Sequence, residues 1–199
     1  MTELIAKTVY FAEPGPQNSK RTLELADDRA EVLGIDTALV ATTTGETGVL
    51  AGQLLSDMRV VAVTHSTGFG EPFEQELTLE HREVMASSGV SILTATHAFG
   101  GVGRAVRKKL GTYEVEEIIA YTLRCFGQGM KVVAEITLMA ADAGLIPAKK
   151  PVMVIAGTGR GADTAVVVMP THAQTFFDLE FLEVVRSEER RVGKECVSE

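Results

Sequence analysis

"TALVATTTGETGVLAGQL", residues 37–54, decides the fold, because it passes from an apolar run through a hydroxyl-rich turn into a second apolar segment of different period. The first part, "DTALVAT", is too short for a stable helix and reads as a strand; residues 46–55 read as the helix that follows it. Between them Gly45 and Gly48 allow the main chain to approach a ligand or to take a positive φ. Thr42, Thr43, Thr44 and Thr47 supply hydroxyl donors and acceptors. That combination suits an anion, and it equally suits a polar loop whose threonine caps a helix.

Working outward, the same alternation repeats. "KTVYFA" (7–12) is a β-type run, and "EPGPQNS" must turn the chain. Asn18 or Ser19 is placed to cap a helix in which Leu23, Ala26, Ala30 and Leu33 recur at helical spacing and which Gly34 ends. "RVVAVT" (59–64) is almost wholly apolar, as expected of a strand covered on both faces. A helix near 79–88 and a strand at 90–96 follow. In 113–126, Val115, Ile118, Ile119, Thr122 and Phe126 form one stripe expected to be buried, and an alanine-rich helix spans about 130–143. "PVMVIAG" (151–157) is a further strand, with "DTAVVVMP" and "DLEFLEVV" expected at the sheet edge. Strands alternating with helices predict an α/β fold with a mostly parallel sheet covered on both sides.

In such a sheet the segments leaving the carboxyl ends of the strands share one edge, where small ligands bind. Those exits read "AEPGPQNS", "TTTGETG", "THSTGFG", "THAFGG" and "GTGRGAD", whereas the returning connections "GID", "SDM" and "SSG" are short and plain. One composite crevice is therefore expected. Its cofactor-binding wall is expected to draw on Thr42, Thr43, Thr44, Gly45 and Thr47 from the first loop and on His65, Ser66, Thr67, Gly68 and Phe69 from the second. His97 and Phe99 come from the third, and Gly157, Thr158, Gly159, Arg160, Gly161 and Asp163 from the last. Backbone N–H groups and helix N-termini bind phosphate oxygens without formal positive charge. Arg160 and Arg104 either add cations or pair with surface carboxylates. Phe69 and Phe99 either cover a planar ring or fill small satellite cores. Asp163 either accepts from a ring nitrogen or ribose hydroxyl or serves as a turn residue, the turn being favoured.

Composition narrows the alternatives. A chain of 199 residues with 45% hydrophobic content can bury one core, expected to span 1–186 as a single domain. A net charge of −8 argues against nucleic acid as a partner. "RKK" at 107–109 reads as a solvated helix face. No apolar run approaches the ~20 residues that span a bilayer, so a membrane role is not expected. Two cysteines without a CxxC pair give no disulfide framework, and the cytoplasm is the expected compartment. From Ser187 the chain loses its periodicity, so 187–199 reads as a disordered or non-native tail, and Lys194 and Cys196 carry no functional argument.

Several chemistries are declined. "GVGRAV" lacks the third glycine of a dinucleotide fingerprint, and "GTGRGAD" precedes a strand rather than a helix. The four histidines show no zinc spacing, so no metal is expected. His65 and His97 lie at the ligand edge, where each acts as an acid or base or donates to a neighbouring carbonyl. Glu135 and Asp142 share a helix face, and Lys131 with Glu135 has the spacing of a local ion pair.

"TTTGETGVLAGQL" resembles the effector-phosphate loop of the C-terminal domain of pyruvate kinase. "EPGPQNS", "VTHSTGFGEP", "THAFGGVGRA", "RCFGQGMKVVAEITLMAADAG" and "GTGRGADTAVVVMPTHAQTFFDL" are together similar to a stand-alone prokaryotic family with that domain's fold. The resemblance spans roughly residues 7–186 and leaves no room for the catalytic barrel. It implies a three-layer α/β/α sandwich with a mixed sheet, flavin mononucleotide (FMN) in the crevice and, as further expectations, a phosphorylated small-molecule partner and a homo-oligomer. Two other functions stay open: a non-catalytic effector module for a sugar phosphate or nucleotide, and an enzyme on a phosphorylated metabolite with His65 or His97 as proton carrier.

Overall fold

The computed structural model describes residue 3 and residues 6–147 and 149–187. In chain order the elements are β1 (Val9–Tyr10), α1 (Ser19–Leu33), β2 (Thr37–Ala41), α2 (Glu46–Leu54), β3 (Arg59–Thr64), α3 (Leu79–Ser87) and β4 (Ser91–Thr94). Then come α4 (Val102–Leu110), α5 (Val115–Arg124), α6 (Gln128–Asp142), β5 (Val152–Ala156), β6 (Thr164–Met169) and β7 (Glu180–Ser187). The sheet has seven strands in the order β1-β7-β6-β5-β2-β3-β4. β2, β3, β4 and β5 run parallel, β6 is antiparallel to both β5 and β7, and β1 is parallel to β7. Only β6 is therefore reversed, and the five glycine-bearing strand exits lie on one edge.

Strand alternation builds two cores. Ala38, Val40, Val60, Ala62, Met153 and Ile155 point into a cluster with Leu23, Ala26, Ala51 and Met85 of α1, α2 and α3. Their neighbours Leu39, Val61, Val63, Val152 and Val154 point the other way, onto Met130, Val133, Ile136 and Ala140 of α6. A strand buried on both faces has to be apolar at every position, which is why "RVVAVT" shows no alternation. These two faces make the three-layer α/β/α sandwich.

Several local expectations are corrected. Asn18 and Ser19 do not cap α1: the Asn18 amide donates to the Glu13 carbonyl, and Ser19 Oγ accepts the Ala162 N–H at 2.9 Å. Leu33, expected on the buried stripe of α1, is exposed. β7 is not at the edge, because β1 pairs outside it. β7 also runs through Ser187, which pairs with Tyr10, so Ser187 belongs to the sheet; the rest of the expected tail, residues 188–199, lies outside the described residues.

The stripe on α5 faces the other way. Val115 is 68% exposed, Ile118 56% and Phe126 71%, while Glu117 and Ala120 are buried. α5 packs on α6 through Ala120, Ile119 and Leu123, not on the sheet. It is an outer helix with an apolar face to solvent, and helical periodicity does not say which face meets the protein.

Candidate functional site

A cavity of about 660 Å³ opens at the carboxyl edge of the sheet. One wall is the threonine loop. Thr42, Thr43, Thr44 and Thr47 line it, and Thr42 Oγ1 accepts the Gly48 N–H at 3.4 Å in the first turn of α2. Gly45 caps this helix with φ 108 but does not reach the cavity; a Cβ there would lie 2.3 Å from His81 Cβ. Its conformational freedom serves the packing of α3 against the loop. The Thr44 carbonyl accepts from His81 Nδ1 at 2.8 Å and from the Thr78 N–H at 3.2 Å, which fixes the loop.

The opposite wall is the β5–β6 connection, where Gly157, Thr158, Gly159, Arg160 and Gly161 line the cavity. Asp163 does not line it. It is fully buried and accepts the Thr158 N–H at 3.3 Å and the Thr164 hydroxyl at 3.0 Å, so it organises the turn.

The β3 exit contributes His65 and Phe69; Ser66, Thr67 and Gly68 lie outside the lining, in a turn where the Gly68 N–H donates to the Glu74 carbonyl. His65 Nδ1 lies 2.7 Å from Glu76 Oε2. His97 lines the cavity from the β4 exit, whereas Phe99 is buried against Ala134, Leu138 and Phe176 in a satellite core. The Phe69 ring stacks on His97 with centroids 4.5 Å apart, and the Arg104 guanidinium covers it at 4.6 Å.

The floor comes from α5 and α6, which the strand-exit argument does not reach. Arg124, Gln128, Lys131, Val132, Glu135 and Ile136 all line the cavity. The expected Lys131–Glu135 pair forms, but both side chains are buried. The Glu135 carboxylate accepts from Lys131 Nζ and from the Phe99 N–H at 3.1 Å, and lies 3.3 Å from His97 Nδ1. Burial pushes its pKa upward, but the His97 hydrogen bond and Lys131 more than offset that and hold it at about 2. Burial lowers the Lys131 pKa further than Glu135 raises it, and Arg124 and Arg104 add to the lowering. Lys131 and Glu135, set within the largely apolar "KVVAEITLMAA", were the available signal, since an otherwise apolar helix does not bury charges without a partner.

Four cations, Arg104, Arg124, Lys131 and Arg160, and three carboxylates, Glu46, Glu76 and Glu135, line the cavity. Arg104, Arg124 and Arg160 line it, and none has a carboxylate partner among the described residues. Arg124 Nε donates to Gln128 Oε1 at 3.1 Å, and its guanidinium lies over the Tyr121 ring.

The profile of the family described as "Pyruvate kinase, alpha/beta domain" matches residues 20–168. The chain belongs to the pyruvate kinase alpha/beta domain family. Two solved structures of pyruvate kinase from Cryptosporidium parvum are similar in fold, each at 13% identity. The first covers 79% of this chain and 24% of its own at a TM-score of 0.39; the second covers 76% and 22% at 0.36. The chain thus spans about a quarter of the length of those pyruvate kinases. Among the described residues no helix is long and apolar enough to cross a membrane, and no cluster of His, Cys, Asp and Glu could hold a metal ion.

Proposed function

We propose that the crevice binds a phosphate-bearing small molecule, with FMN as the ligand its chemistry supports best. The carrying observation is the three arginines without carboxylate partners, converging on one cavity of a chain whose net charge is −8. Solvated cations gathered in one cleft of an acidic protein focus the field there and raise the local concentration of an anionic ligand. The first turn of α2, with its threonine hydroxyls, and the 157–161 loop offer O–H and N–H donors for the phosphate oxygens. Val63, Val132, Ile136, Met139 and Phe69 offer an apolar bed for a planar ring, and the volume lies within the range of cofactor pockets. The residues present therefore fit FMN. Bound FMN would supply one- or two-electron redox chemistry, and the protein would supply position and charge.

The apolar outer face of α5 supports a homo-oligomer, and the absence of a cysteine framework supports a cytoplasmic setting. The test is mass spectrometry of the small molecule that co-purifies, followed by fluorescence titration with FMN. Saturable binding that weakens at least tenfold in Arg160→Ala and in Thr43→Ala is expected. No flavin in the purified protein and no uptake of added FMN would end the FMN reading. Uptake of sugar phosphates or nucleotides alone would favour an effector module.

A further inference from the structure

His97 carries an unused hydrogen-bonding atom. Its Nδ1 faces Glu135, whose carboxylate is ionised and can only accept, so the imidazole proton sits on Nδ1. In the neutral imidazole Nε2 is then an acceptor, and it is buried without a hydrogen-bond partner among the described residues. A buried acceptor without a donor is unfavourable, and such atoms are rare in folded proteins. The charged and titratable groups around the ring offer no partner. Glu135 and Lys131 of α6 are engaged with each other, His65 at 5.2 Å between centroids is bonded to Glu76, and Arg104 lies over Phe69. Three donors on Glu135 hold the tautomer in place, so the ring cannot turn its N–H outward without breaking the cluster.

The geometry points to His97 as a specificity-determining residue of the crevice: its Nε2 accepts a hydrogen bond from an N–H or O–H donor on the ring of the bound ligand, with Glu135 as its positioning residue. The inference rests on the crevice as the site of a phosphate-bearing ring compound. It adds that the ring presents a donor at this end, such as an imide N–H, and that rings with an acceptor there are rejected. The half-buried Phe69 is the neighbour that gives way.

The experiment uses the full chain with FMN, uridine 5′-monophosphate and cytidine 5′-monophosphate. The two nucleotides are nearly equal in size, but the uracil imide N–H is replaced in cytosine by an acceptor nitrogen. Expected are FMN binding and a uridine-over-cytidine preference of tenfold or more, which shrinks to about twofold in His97→Leu and narrows in Glu135→Gln. Nitrogen NMR of labelled histidine reads the same atom directly. Nε2 of His97 is unprotonated in the free protein and shifts to the hydrogen-bonded position on FMN binding while staying unprotonated. Equal affinity for the two nucleotides, an Nε2 resonance unmoved by bound FMN, or a proton already on Nε2 in the free protein would overturn the inference while leaving FMN binding intact. Uridine selectivity without FMN uptake would remove the FMN reading and keep His97, and no binding of any of the three would remove both.

Discussion

Lys131 and Glu135, one turn apart on α6, bury an ion pair whose carboxylate also accepts the backbone N–H of Phe99 from a different loop. A helix interior is thereby tied to the β4 exit, and the position of His97 in the cavity depends on that tie.

The Glu135 carboxylate gives acid stability a defined direction. Its folded-state pKa of about 2 lies below its ordinary 4.5, so its contribution is complete above about pH 4.5 and is lost as the pH falls toward 2. Glu135→Gln should lower stability at neutral pH by roughly 3 kcal/mol and flatten the decline between those two values. Urea unfolding at a series of pH values measures both effects, and an unchanged acid profile would count against the burial of this group.

Gly45 is irreplaceable for packing reasons. With φ 108 and His81 Cβ 2.3 Å from any added Cβ, Gly45→Ala has to strain the backbone and displace α3 together. A loss of roughly 3 kcal/mol is expected in denaturant unfolding. A near-neutral result would mean that α3 does not rest on the threonine loop.

Phe73 stands at the opposite extreme, 95% exposed with φ 65. A left-handed backbone is unfavourable for an aromatic residue, and no burial compensates here. Phe73→Gly removes the penalty but adds chain entropy to the unfolded state, so its melting temperature should match or exceed that of the parent. A fall of several degrees would show that the ring has a partner.

The outer face of α5 predicts self-association. Ile118→Asp should shift the sedimentation profile toward the monomer without changing FMN affinity, since Ile118 lies outside the crevice lining. A parent protein that sediments as a monomer at high concentration would exclude this face as an interface.

The sheet and its glycine-rich carboxyl edge were legible because β-periodicity and glycine punctuation are local properties. Val61 and Val63 announce a two-sided strand by themselves, and the exits after β2 and β5 each gather their polar groups within seven residues or fewer. The floor was not legible in the same way. Lys131 and Glu135 have the spacing of a surface pair, and only the packing of α5 over α6 makes it a buried one. Asp163 and Phe99 sit beside the right glycines, yet their side chains turn inward. Sequence adjacency placed the loops but not the direction of each side chain. The stripe on α5 was inverted for a related reason: an apolar face is visible in the sequence, but what lies against it is not.

The β5–β6 connection is held from several sides. Thr22 Oγ1 donates to the Ala162 carbonyl, Ser19 takes the Ala162 N–H, and a Cβ on Gly161 would strike Pro16 at 2.3 Å. The segment after β3 is mostly exposed and secured mainly by its own turn, with the Gly68 N–H donating to the Glu74 carbonyl and the Phe69 N–H to the Ser66 carbonyl. The crevice therefore has one fixed jaw and one compliant jaw. A guest of a different size should be accommodated by displacement of residues 66–75, while the side that carries Arg160 keeps its shape.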